Sequence, residues 1–243
     1  MSGKVTGDTG DLFRFDLVRH IMKSVPAFEG FTYMPVSGKD CPVPKKRIPV
    51  RLDLAAAIRA GKAGSQNREL GEHLDPLPDS SGENAYAGGI RAYFTKEHIS
   101  AHVLEASRIP REPGPHPGIL VSGKIPPHSL IVVDRVHGSG KSAAHKDEPF
   151  FAEISQVFDQ MDATSALMVS VSLPNSRSRA VNAAPDLFSR FQNLTGIVPV
   201  TITDDNLVFY LMTKNQKFSS LLGRVVERYA DTYPTLSSSY EVQ

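Results

Sequence analysis

Residues 129–142 read SLIVVDRVHGSGKS, and they predict a buried strand followed by a glycine-containing loop. The run from Leu130 to Val133 is apolar and rich in β-branched residues, which predicts a strand buried on both faces. The strand ends at Asp134, a loop of small residues follows from Gly138 to Ser142, and residues 147–162 have helical periodicity. Backbone N–H groups of a glycine-containing turn can converge on an anion, and a helix N-terminus adds positive partial charge. The arrangement therefore predicts a phosphate-binding turn.

A Walker A loop is excluded by counting. The pattern G-x-x-x-x-G-K-[ST] requires a glycine five places before Gly140, and Arg135 stands there. The loop is therefore not a Walker A phosphate-binding loop.

The same string resembles the signature of the type I phosphoribosyltransferases. In that family four apolar residues lead into an acidic pair, two further residues and a T-x-G-x-[ST]-like loop. Here residues 130–133 lead into Asp134 and Arg135, then Val136 and His137, then the loop 138–142. The match covers about fourteen residues and departs from the family at Arg135, which replaces the second acidic residue. An ordinary strand, glycine turn and helix of any α/β protein stays open as the alternative.

The resemblance implies an enzyme that transfers ribose 5-phosphate from phosphoribosyl pyrophosphate to a nitrogenous acceptor and releases pyrophosphate. Asp134 would be the catalytic residue, accepting from the ribose hydroxyls. Mg²⁺ would accompany the pyrophosphate and, preferring oxygen ligands and water, would need few protein ligands. The family's loop after its first core strand takes pyrophosphate, which makes Ser37, Gly38 and Lys39 candidates. The other candidate substrate-binding residues are Arg135, His137, Gly138, Ser139, Gly140, Lys141 and Ser142.

Composition narrows the protein class. The chain of 243 residues has 27 Lys and Arg against 26 Asp and Glu, so its net charge of +1 gives no support for binding nucleic acid or a membrane through bulk charge. The single cysteine, Cys41, excludes an internal disulfide framework and suits a reducing compartment. No apolar run reaches the ~20 residues of a membrane helix, and the N-terminus lacks a signal-peptide core. We expect a cytoplasmic protein, with a homodimer left open as its assembly.

The order of elements predicts one α/β domain over residues 1–243. An N-terminal helix over 11–25 lies in a segment, 1–30, that would form part of a hood, and a strand follows at 31–36. After residue 142 come a helix, a strand at 167–173, a helix with Pro185 in its first turn, a hairpin over 197–212 and a last helix. Strands alternating with helices indicate a central, mainly parallel sheet covered on both faces, with ligands at the carboxyl ends of its strands. Residues 75–89 are predicted to form a mobile loop.

Residues 90–109 are ambiguous between helix and strand. If they are helical, His98, His102 and Glu105 share one face and could bind a metal. The zinc-protease motif is absent because Ile99, and not glutamate, follows His98. A polar surface stretch without a metal stays the simpler interpretation.

Three functions follow from these patterns. The first is an active phosphoribosyltransferase. The second is a non-catalytic relative that senses phosphoribosyl pyrophosphate or a nucleotide, which Arg135 favours. The third is an unrelated α/β structural or partner-binding protein whose glycine loop is only a turn. No pattern indicates which base or amine would be the acceptor.

Overall fold

The computed structural model describes residues 9–36, 52–60, 68–74, 83–103, 125–135, 148–172, 177–204 and 207–241. Their helices are α1 (Thr9–Ser24), α2 (Leu52–Arg59), α3 (Arg68–Leu74), α4 (Glu83–Lys96), α5 (Glu148–Gln160), α6 (Arg177–Thr195) and α7 (Gln216–Thr232). Their strands are β1 (Gly30–Val36), β2 (Ser100–Val103), β3 (Ser129–Arg135), β4 (Ala166–Ser172), β5 (Val200–Asp204), β6 (Leu207–Thr213) and β7 (Ser237–Ser239).

The strands of the described ranges form one mixed sheet in the order β2-β1-β3-β4-β6-β5-β7. Pairing is parallel from β2 to β4, and it is antiparallel for β4 with β6, β6 with β5 and β5 with β7. The strand predicted at 130–133, the helix predicted after it and the hairpin of β5 with β6 are confirmed. The sheet is parallel only in its first four strands, because β6 returns between β4 and β5.

Helices cover both faces of the sheet, as the alternation of elements predicted. Along β3, Leu130 and Val132 face the core formed with α1, α2, α3, α4 and α7, whereas Ile131 and Val133 face a second core formed with α5 and α6. This is the three-layer arrangement expected when a strand is apolar on both sides. In the described part of the chain, no helix has the length and apolarity needed to cross a membrane.

Helix α1 is buried around almost its whole circumference. The Phe13 and Phe15 rings pack on the sheet, against Phe209 of β6 and Tyr33 of β1, and Leu17 is fully buried as well. Packing of α2, α3 and α7 against α1 explains this, since they cover the side that a surface helix would present to water. Four charged side chains of α1 are consequently buried: Asp11, Arg14, Asp16 and Arg19.

Two sequence predictions need correction. The loop predicted over 75–89 extends too far, because residues 83–89 form the first half of α4 and only 75–82 lie outside the described residues. Glycines made this segment resemble a loop, yet a Cβ at Gly89 would lie 2.5 Å from the carbonyl oxygen of His73 on α3. That glycine therefore permits close helix packing. Pro185 was placed in the first turn of its helix, but α6 begins at Arg177 and contains Pro185 in its interior.

Candidate ligand-binding site

The order of strands reverses between β1 and β3. From β1 the chain continues to β2 on one side, and from β3 it continues to β4 on the other. In open α/β sheets, such a switch point leaves a crevice at the carboxyl ends of the two strands, where ligands commonly bind. Register pairs Pro35 with Asp134 and Val36 with Arg135, so residues 37 and 136 follow from the same level of the sheet.

The described ends of β1 and β3 therefore lie side by side, and the two predicted ligand loops follow them in the sequence. The structure places Asp134 and the backbone of Arg135 at the end of β3. The remaining predicted site residues lie outside the described ranges: Ser37, Gly38, Lys39, His137, Gly138, Ser139, Gly140, Lys141 and Ser142. Their role as phosphate and pyrophosphate ligands stays a prediction.

Asp134 points to the α1 side of the sheet because side chains alternate along a strand. Leu130 and Val132 contribute to that face, and Asp134 is the next residue in the same row. Ser170 is the register partner of Asp134 on β4. The amino-terminal half of α1 covers this rim of the sheet and brings Arg14 to it.

The Asp134 carboxylate accepts three hydrogen bonds from three different elements. Oδ1 accepts from Arg14 Nη2 at 2.6 Å and from the Ser170 hydroxyl at 2.9 Å. Oδ2 accepts from the Tyr33 hydroxyl of β1 at 3.0 Å. The Asp134 side chain is 13% exposed, so its hydrogen bonds hold it in place while solvent still reaches part of it.

Arg14 links this carboxylate to a second one. Its guanidinium also pairs with Asp11, one helical turn earlier on α1, and donates to Ser170 at 3.3 Å. Its side chain is only 6% exposed. The two carboxylates stabilise this buried guanidinium, because a buried charge without partners would cost several kcal/mol.

Tyr33 is a neutral donor in this network. Burial, together with the adjacent negative charge of Asp134, raises the pKa of its hydroxyl well above the ordinary value of 10.0. The Tyr33 ring packs edge-on against Phe15, with centroids 5.2 Å apart. The hydroxyl therefore stays protonated and donates to Asp134 across the physiological pH range.

Sequence patterns identified Asp134 and missed the three residues that hold it. Arg14 belongs to the predicted N-terminal helix, and Tyr33 and Ser170 belong to predicted strands. None of the three was predicted to be a site residue. A weak signal was present: an acid and a base three places apart, Asp11 and Arg14, interrupt the apolar sequence of α1. The contact of Arg14 with Asp134 spans 120 positions, which no local pattern reports.

The histidines considered for metal binding do not gather. Helix α4 ends at Lys96, His98 lies in a turn with a φ of 57°, and His102 is on β2. Glu105 lies outside the described residues. In the ranges that the structure describes, there is no group of three His, Cys, Asp or Glu residues that could hold a metal ion.

Comparison with known proteins gives the fold no family. No protein-family model matches the chain, and no curated protein matches it. Among solved structures, a precorrin-8w decarboxylase of Methanobacterium thermoautotrophicum is 10% identical, with 80% of this chain and 88% of that one covered and a TM-score of 0.35. A mitomycin 7-O-methyltransferase is 13% identical, with 84% of this chain and 55% of that one covered and a TM-score of 0.35.

The chain spans about half the length of the methyltransferase. At these scores neither similarity carries an argument about function. The fold and the site together define a mixed α/β protein with a hydrogen-bonded carboxylate, Asp134, at the switch point between β1 and β3.

Proposed function

We propose that the crevice between β1 and β3 binds a phosphorylated ribosyl ligand, and that the protein is a phosphoribosyltransferase-like enzyme acting on phosphoribosyl pyrophosphate. The observation that carries this proposal is the position of Asp134. It lies at the switch point of the sheet, beside the strand ends from which both predicted ligand loops start.

The chemistry of Asp134 suits a sugar. An ionised carboxylate has about four acceptor positions and no donor, so it recognises hydroxyl or N–H groups and repels phosphate. Three of those positions are taken, which leaves one at the partly exposed rim for a ligand hydroxyl. A carboxylate already held by Arg14, Ser170 and Tyr33 needs no reordering when the ligand binds, which favours affinity.

Phosphate and pyrophosphate recognition would come from the two loops. Backbone N–H groups and hydroxyls of residues 138–142, with Lys141, would contact the 5′-phosphate. Ser37, Gly38 and Lys39 would contact the pyrophosphate. Mg²⁺ would be held chiefly by pyrophosphate oxygens and water, since Asp134 has most of its acceptor positions filled. Bound there, the ion would neutralise the charge of the departing pyrophosphate.

A second candidate is a relative that binds the same ligand without turnover. Arg135 favours it, because the family places an acidic residue there to contact ribose and an arginine has no acceptor atom. Ligand binding without release of pyrophosphate would support this candidate over the enzyme.

Calorimetric titration of the full chain with phosphoribosyl pyrophosphate and Mg²⁺ tests both candidates. We expect saturable binding, weakened at least tenfold in Asp134→Asn. Asp162→Asn is the matched control, because Asp162 also accepts several hydrogen bonds. It lies in the turn before β4, at the amino-terminal end of the parallel strands, whereas Asp134 lies at their carboxyl end. Asp134→Glu, which keeps the charge but moves the carboxylate, is a second variant if Asp134→Asn unfolds, which circular dichroism would reveal.

One further ligand and one further assay sharpen the result. S-adenosylmethionine carries a ribose but no phosphate, so tight binding of it without binding of phosphoribosyl pyrophosphate would contradict the phosphate part of the proposal. A coupled assay for pyrophosphate, run with a panel of bases and amines, separates an enzyme from a sensor. Failure of every ribosyl ligand to bind would leave a structural or partner-binding role.

A further inference from the structure

We infer that Asp134 offers a bound sugar a single acceptor position, on Oδ2, so that the site reads one hydroxyl of a ribosyl ligand and not both. Arg14, Ser170 and Tyr33 are the positioning residues that create this restriction. The inference rests on the proposed ribosyl-binding function and goes beyond it by stating which sugars the site accepts.

Counting acceptor positions gives the restriction. Each carboxylate oxygen has two lone-pair positions. Both positions of Oδ1 are used, by Arg14 at 2.6 Å and by Ser170 at 2.9 Å. On Oδ2 the Tyr33 hydroxyl uses one position at 3.0 Å and leaves the other.

The three donors are held firmly enough to keep their places. Ser170 is fixed by its register with Asp134 in adjacent strands. Arg14 and Tyr33 are buried, and the Tyr33 ring packs against Phe15. Withdrawing any of them would leave a buried polar group without its partner, which is unfavourable. A ligand therefore meets the carboxylate as it is, and does not displace a donor from it.

A vicinal diol needs two acceptor positions to be read completely. A carboxylate with both oxygens open can accept from the 2- and 3-hydroxyls together, one on each oxygen. Asp134 cannot, since both positions of Oδ1 are filled. One of the two hydroxyls would thus be required and the other would contribute little.

Titration of the full chain with ribose 5-phosphate, 2-deoxyribose 5-phosphate and 3-deoxyribose 5-phosphate tests the inference. These probes carry no base, so the unknown acceptor pocket does not affect the comparison. We expect one deoxy sugar to bind at least tenfold more weakly than ribose 5-phosphate and the other to bind within about twofold of it.

Tyr33→Phe provides a readout that a purely structural role would not change. It keeps the ring and opens the second position of Oδ2, so the hydroxyl that was not read should now contribute. The previously tolerated deoxy sugar should then bind several-fold more weakly than ribose 5-phosphate. Tyr229→Phe, which removes a tyrosine hydrogen bond to another buried carboxylate, Asp16, should leave these ratios unchanged. Ser170→Ala, which opens a position on Oδ1, serves if Tyr33→Phe does not fold.

The outcomes separate this inference from the proposed function. Binding of ribose 5-phosphate with equal losses for both deoxy sugars, or with no loss for either, overturns the single-acceptor inference and keeps the proposed function. A wild-type protein that binds none of the three sugar phosphates and no phosphoribosyl pyrophosphate overturns both.

Discussion

The hydroxyl of Tyr229 on α7 donates a hydrogen bond of 2.7 Å to Oδ2 of Asp16 on α1, although 213 positions separate the two residues. Tyr233, one turn further along α7, donates to the same oxygen at 2.9 Å. Asp16 is 2% exposed, so both hydroxyls satisfy a carboxylate that water hardly reaches. This contact joins the first helix of the chain to the last and fixes how α1 lies on the sheet.

Replacing Tyr229 by phenylalanine should destabilise the fold. Because the lost hydrogen bond goes to a charged, buried group, the free energy of unfolding should fall by about 1.5 to 3 kcal/mol in urea denaturation. Tyr240→Phe is the control, since it removes an exposed hydrogen bond to Glu227 and should cost less than about 0.5 kcal/mol. Equal effects of the two substitutions would contradict the importance given to the Asp16 contact.

Arg14→Met should be the most damaging change on α1. It leaves the Asp134 and Asp11 carboxylates without their buried cation, a loss of about 3 to 5 kcal/mol. Arg224→Met, at an exposed position of α7, should change stability by no more than about 0.5 kcal/mol. A double-mutant cycle with Asp134→Asn should give a coupling energy of about 0.5 to 3 kcal/mol, and additive effects would count against the ion pair.

Alkaline pH should unfold the protein through its buried tyrosines. Burial raises the pKa of Tyr33 and of Tyr229 well above 10.0, and each hydroxyl also faces an aspartate. A group with a raised folded-state pKa gives stability that is fully present below the unfolded-state pKa and is lost as the pH rises. The contribution of these tyrosines to stability should therefore be constant up to about pH 9 and fall above about pH 10.

Ultraviolet absorbance of tyrosinate measures this loss directly. The chain has seven tyrosines and no tryptophan, so the signal is not obscured. The buried tyrosines should ionise only as the fold is lost, in step with the far-ultraviolet circular dichroism. Gradual ionisation of all seven near pH 10, with the dichroism unchanged, would disprove the burial.

Two adjacent glycines of α4 should respond in opposite directions to alanine. Gly89→Ala places a methyl group 2.5 Å from the His73 carbonyl oxygen, so α3 and α4 must separate, at a cost of about 1 to 3 kcal/mol. In the part of the chain that the structure describes, a Cβ at Gly88 meets nothing within 4 Å, so Gly88→Ala should stabilise the helix by about 0.5 to 1 kcal/mol. Thermal unfolding of both variants checks this, and stabilisation by both would contradict the close packing.

Much of the fold could be predicted because its signals are local. Four apolar residues in succession identified β3, and the regular spacing of apolar residues identified α5 and α7. The hairpin of β5 and β6 was indicated by the turn between two apolar runs. Local signals misled where a residue served a distant partner: Gly89 permits contact with α3 and was read as part of a loop.

Periodicity and chain order were enough to predict a buried strand with Asp134 at its carboxyl end, because both signals are local. The hydrogen-bond donors to Asp134 could be identified only in the folded chain. Arg14, Tyr33 and Ser170 come from three separate elements, and their donor atoms converge only when α1 lies across the rim of the sheet. The acceptor positions of a carboxylate are filled by the donors that lie within hydrogen-bond distance in the folded chain. The separation of residues along the sequence does not predict those distances.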